Sequence, residues 1–165
     1  MVGPGVPSSQ ERQPRLYVLV GLPGSGKSTY ARRHLSRCLR VSLDDLRLML
    51  SGRTFDLDYE PAVSAIGSTA LRICLENAGL WGMDVVFDAT NLTRELRARS
   101  LKAMAGLAVV PIAIFFRCPI ELALARNSRR RFPVPDDVIR RFHAGLEEPT
   151  SDEGFAEVIE IDQTR

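Results

Sequence analysis

Lysine, cysteine and long apolar runs are scarce in this sequence, and each scarcity excludes something. Cysteine occurs three times in 165 residues, as Cys38, Cys74 and Cys118. An odd number of widely spaced cysteines in apolar surroundings excludes a disulfide framework and a zinc pattern, and fits free thiols packed as small hydrophobes in a reducing, cytoplasmic setting. The longest apolar run, Leu107 to Phe116, is strand length and falls well short of the roughly 18 residues that a membrane helix needs. The N-terminus opens on Gly, Pro and Ser, not on a basic stretch followed by an apolar core, so it does not read as a secretory signal. Lysine occupies only positions Lys27 and Lys102, so arginine supplies 20 of the 22 basic residues. The planar five-donor guanidinium suits phosphate recognition, although an arginine bias by itself can also be compositional.

The rest of the composition is that of one ordinary core: 45% hydrophobic, 25% charged and a net charge of +2. A chain of this size buries enough surface to need no structural metal. Residues 1–14 read as a disordered tail and 15–165 as a single domain. Apolar Leu16–Val20 predicts a buried first strand. Helix follows over Lys27–Arg37, a second strand over Leu39–Leu43, and a helix from Asp44 to Ser51 with Asp44 as its cap. A polar loop, Gly52–Glu60, leads to Pro61 at the first position of a long helix ending near Gly79. Strands over Asp84–Phe87, Val109–Phe116 and Val158–Ile161 then alternate with helices over Arg94–Met104, Ile120–Arg130 and Asp136–Leu146. Such alternation predicts an α/β fold, a parallel sheet of about five strands with helices on both faces, and ligands outside the carboxyl ends of the strands.

The residues there carry chemistry. Gly21-Leu22-Pro23-Gly24-Ser25-Gly26-Lys27-Ser28-Thr29 fulfils G-x-x-x-x-G-K-[ST] between a strand and a helix. Its glycines let successive backbone N–H groups converge on phosphate oxygens, at the positive end of the next helix. Lys27 is placed to reach the β- and γ-phosphates of ATP, and the Ser28 hydroxyl to ligate Mg²⁺. A dinucleotide fingerprint fails because Thr29 stands where a third glycine belongs. No N-K-x-D guanine motif exists, and no strand ends in the paired Asp-Glu of motor ATPases.

Asp44 and Arg47 follow the second strand and share a helix face. A carboxylate there can accept the proton of an acceptor hydroxyl, and an arginine beside it can grip a neighbouring phosphate. A helix cap with a solvated ion pair is the alternative. Asp88, Thr90 and Asn91 follow the third strand and are candidates for substrate or Mg²⁺-water contacts, or for plain turn-making. Residues 126–135 form an arginine-rich, proline-stiffened segment that suits a lid. Arg126 and Arg130, four apart on a continuing helix, would point the same way and could offset charge on a transferring group; a solvated basic face or a nucleic-acid contact is the alternative.

These segments resemble the kinase domain of polynucleotide 5′-hydroxyl kinases, within the wider group of small P-loop kinases that includes zeta-toxin-like members. The resemblance rests on Gly21–Thr29, on Asp44-Asp45-x-Arg47, on Asp88-Ala89-Thr90-Asn91, on Arg126-Asn127-x-x-Arg130, and on the tail Pro149-Thr150-x-x-Glu153-Gly154-Phe155. It implies ATP and Mg²⁺ as cofactors and a nucleic acid 5′-OH end as acceptor. It also implies Asp44 as general base, Arg47 as the clamp on the adjacent phosphate, and Arg126 and Arg130 as lid residues. Leu43 departs from the basic residue that several members carry just before the acids, and the lid is shorter than many. The phosphatase that relatives often carry is not expected, since Asp56-Leu57-Asp58 lacks the threonine of D-x-D-x-T. Two further readings stay open: a kinase of a small-molecule hydroxyl, and a nucleotide-dependent binding module.

Overall fold

The computed structural model describes residues 12–163. Of the tail expected over residues 1–14, residues 1–11 lie outside the described residues. Arg12 pairs with Asp84 at 2.8 Å, and the Pro14 carbonyl accepts a hydrogen bond from the Val110 amide at 2.9 Å.

Five strands form one parallel sheet: β1 (Arg15–Val20), β2 (Leu39–Ser42), β3 (Val85–Asp88), β4 (Val110–Arg117) and β5 (Glu157–Asp162). Their spatial order is β2-β3-β1-β4-β5. The expected α/β architecture is the observed one. Parallel strands are buried on both faces, which is why β1 and β4 read as continuous apolar runs. Leu16, Val18 and Val20 point to one face and pack with Val85, Phe87, Ala113, Leu71 and Leu75. Leu19 points to the other, with Ala31, Val86, Ile114 and Phe116.

Among the described residues six α-helices accompany the sheet: α1 (Lys27–His34), α2 (Leu43–Ser51), α3 (Glu60–Trp81), α4 (Arg94–Lys102), α5 (Ile120–Asn127) and α6 (Asp136–Ala144). Four helices are shorter than the sequence predicts: α4 ends at Lys102 and not at Met104, α6 at Ala144 and not at Leu146, and α1 and α5 fall three residues short. α1 stops at His34, because Leu35 leaves helical geometry and the Cys38 amide turns back to the Leu35 carbonyl at 3.0 Å. α5 stops at Asn127 and not at Arg130. Asp44 is not a cap. Ser42 caps α2, its hydroxyl accepting from the Asp45 amide at 3.2 Å, and Asp44 lies in the first turn. Among the described residues no helix is long and apolar enough to cross a membrane.

The chain after α6 is held by Arg97, the largest fully buried side chain in the domain. Its Nε and Nη2 donate to Glu153 Oε2 and Oε1 at 2.7 and 2.6 Å, and its Nη1 donates to the Glu147 and Asn91 carbonyls at 2.8 and 3.1 Å. Thr150 and Glu153 form a capping box, and Phe155 is buried in the core. The tail motif is thus a fastening of the fold, remote in role from the phosphate loop.

Candidate active site

The carboxyl ends of β1, β2 and β3 open onto a cleft of about 810 Å³. Gly24, Gly26, Lys27, Ser28 and Thr29 line one side of it; Asp44, Arg47, Asp88, Thr90, Arg126 and Arg130 line the rest. The candidate residues therefore converge, with two exceptions.

The phosphate loop is tightly determined. Gly24 adopts φ +84°, and a Cβ there would clash with the Ala123 carbonyl oxygen, so the loop backs directly onto α5. Gly26, at φ +93°, turns the chain into α1. Lys27 is buried, and its ammonium donates to the Gly21 and Leu22 carbonyls at 2.6 Å each and to Ser25 Oγ at 3.3 Å. Burial lowers its pKa to about 8, against the opposing pull of Asp88 and Asp44. Ser25 is the first exception: its side chain lies buried behind the loop as a partner of Lys27 and does not line the cleft.

Asn91 is the second. It is 4% exposed, adopts φ +47°, and donates from Nδ2 to the Leu19 carbonyl at 2.8 Å. Its side chain ties β1 to the turn after β3, so the expected substrate contact gives way to a structural one. Thr90 does line the cleft, and its carbonyl accepts from the Gly21 amide at 3.0 Å.

Asp88, 4% exposed at the end of β3, is gripped by Arg40, whose Nε and Nη2 reach Oδ2 at 2.9 and 2.6 Å. Arg40 also donates to Asp45 at 2.6 Å and to Ser42 at 3.1 Å, joining the first turn of α2 to the strand-end acid. Sequence reasoning passed over Arg40. A cation inside the otherwise apolar strand Leu39-Arg40-Val41 was the available signal.

Elsewhere in the cleft both oxygens of Asp44 are engaged. Oδ1 accepts from Arg47 Nη1 and Oδ2 from Arg130 Nη2, each at 2.8 Å. Arg47 is held from a second direction by Glu60, at 2.5 and 3.0 Å. Glu60 also escaped the sequence reading. Three of the five N–H donors of Arg47 are used in this way, which leaves two.

Arg126 and Arg130 both line the cleft but bond different partners. After Ser128 the α-helical bonds give way to tighter turns, and the buried Asn127 side chain bonds Val134 twice, donating to its carbonyl at 2.7 Å and accepting from its amide at 3.0 Å. Arg130 consequently turns to Asp44, whereas Arg126 donates to Gln163 at 3.0 Å beside the phosphate loop.

A family model described as AAA domain matches residues 16–149. The chain belongs to this AAA domain family. A curated relative, the L-seryl-tRNA(Sec) kinase of Methanococcus maripaludis, is 24% identical over 139 residues, covering 81% of this chain and 53% of the relative. The AAA domain described here thus spans about half the length of that protein. Among solved structures, a chain of the Pnkp1/Rnl/Hen1 RNA repair complex is 26% identical with a TM-score of 0.66, over 86% of this chain and 47% of that one. A sugar kinase from Janibacter sp. is 21% identical with a TM-score of 0.63, over 92% of this chain and 87% of that one, a likeness of fold. The resemblance to small P-loop kinases of the polynucleotide kinase type, read from the motifs, is borne out by these neighbours.

Proposed function

We propose that this AAA domain is an ATP-dependent kinase that passes the γ-phosphate to a hydroxyl, with the 5′-OH end of DNA or RNA as acceptor. The observation that carries this reading is the position of Asp44, set between Arg47 and Arg130 in the same cleft as Lys27. A nucleotide-dependent switch has no use for a carboxylate so placed. An uncharged acceptor has little use for Arg47.

On this reading the backbone amides of Gly24 to Thr29 and the N-terminus of α1 hold the β- and γ-phosphates. Lys27 exchanges its carbonyl partners for phosphate oxygens. Arg130 is shared between Asp44 and the cleft; the incoming negative charge draws it from the carboxylate, where it then offsets charge on the transferring group. Asp44 Oδ2, released, accepts the proton of the acceptor hydroxyl, while Arg47 uses its spare N–H donors on the phosphate next to that hydroxyl. Ser28 and Asp88 offer hard oxygen donors of the kind Mg²⁺ selects. Among the described residues no group of three or more His, Cys, Asp or Glu could hold a metal. Bound there, Mg²⁺ would neutralise charge on the β- and γ-phosphates.

Incubation with Mg-ATP and a 5′-hydroxyl oligonucleotide tests the reading, with Asp44→Ala as control. Label is expected on the 5′ end with the wild-type domain, and at least about a hundredfold less with the variant. Normal ATP binding without transfer to DNA or RNA would move the assignment to a small-molecule hydroxyl.

A further inference from the structure

Among the described residues, five cations that line the cleft are held by hydrogen bonds, and what holds them differs. Arg40, Arg47 and Arg130 each grip carboxylates: Asp88 and Asp45, Asp44 and Glu60, and Asp44 again. Lys27 and Arg126 are held otherwise. The Lys27 ammonium donates to two backbone carbonyls and a hydroxyl, and Arg126 Nη1 donates to the side-chain amide oxygen of Gln163 at 3.0 Å. A carboxylate partner fixes a cation in place and also offsets its charge. A neutral oxygen fixes the direction of the donor and leaves the charge whole.

Gln163 directly follows β5. Its backbone amide donates to the Arg117 carbonyl at 2.9 Å, which carries the β4–β5 pairing one residue beyond Asp162. The side chain is thereby set at the carboxyl edge of the sheet, against the phosphate loop. A Cβ at Gly26 would stand 3.4 Å from Gln163 Oε1 and 3.9 Å from Arg126 Nη1. Amide and guanidinium thus lie together over Gly26, the residue before Lys27, where no side chain caps α1. One of the five N–H donors of Arg126 is spent on Gln163.

We propose that Gln163 is a positioning residue, which holds Arg126 over the phosphate loop as an uncompensated cation aimed at the phosphates of ATP. This inference rests on the loop being an ATP site, and adds to it the residue that aims the first arginine of the lid. Relative strength decides the exchange on binding. An arginine bonded to a neutral amide is held more weakly than one bonded to a phosphate, where both partners are charged. Incoming phosphate therefore wins the guanidinium from Gln163, or shares it, without first breaking an ion pair. Arg130, held by Asp44, has no such freedom.

Equilibrium binding of Mg-ATP, followed by calorimetry, tests this without any acceptor. Gln163→Met keeps the length of the side chain and removes its oxygen; the Kd should rise about fivefold, the worth of one neutral hydrogen bond. Gln163→Glu supplies a carboxylate and should raise the Kd by about tenfold or more, to near the value of Arg126→Ala. In an Arg126→Ala background, Gln163→Met should change the Kd less than about twofold, because its target is gone. Urea midpoints of the Gln163 variants should stay with that of the wild type, which separates aiming from folding. A Kd unmoved by Gln163→Met, a Kd lowered by Gln163→Glu, or a Gln163→Met effect that persists without Arg126 overturns the positioning role and leaves the ATP site standing. No binding of Mg-ATP by the wild-type domain overturns both.

Discussion

Two arginine–carboxylate networks of the same chemistry do opposite jobs in this domain. Arg97 and Glu153 have side chains 0% and 3% exposed, and Arg97 Nη1 is taken by backbone carbonyls. That network is closed off from any ligand by burial. Arg47, Arg130, Asp44 and Glu60 have side chains between 16% and 38% exposed, lie in a cleft, and retain spare donors. A carboxylate held by two arginines in that setting can change partners. Burial and donor count, more than the identity of the pair, separate a fastening from a site.

The contrast can be broken by substitution. Arg97→Ala strands the buried Glu153 carboxylate and should cost about 3–5 kcal/mol of stability. It is read as a fall in the urea midpoint, with the activity per folded molecule retained. Arg47→Lys keeps the charge and loses the fork. It should raise the KM for the oligonucleotide about tenfold, the worth of a charged hydrogen bond, while the urea midpoint moves little. A lost midpoint there, or a lost activity in folded Arg97→Ala, would erase the distinction. The smallest effect belongs to the exposed pair Arg99–Glu95, whose side chains are 69% and 75% exposed. Arg99→Ala should change stability by less than about 0.5 kcal/mol and leave activity alone.

What the sequence made legible follows from the range of each signal. The strands and the phosphate loop are local patterns, and the loop's strand–loop–helix setting came with them. Asp44, Arg47 and Asp88 were found because strand ends mark the active edge of a parallel sheet. The pairings were not legible. Arg40 meets Asp88 across 48 residues of sequence and Arg130 meets Asp44 across 86. No periodicity reports such distances. Asn91 and Asn127 look like site residues beside their neighbours, yet each is buried and spends its amide on backbone, an outcome set by packing. The tail motif of the resemblance proves to be the Arg97 fastening, so it reported the fold and not the acceptor.

The two bonds between Asn127 and Val134 close the intervening segment into a hoop, so Arg130 reaches Asp44 from a preformed frame instead of a slack strand of chain. The conformational entropy of that segment is spent when the domain folds and need not be surrendered again at the cleft.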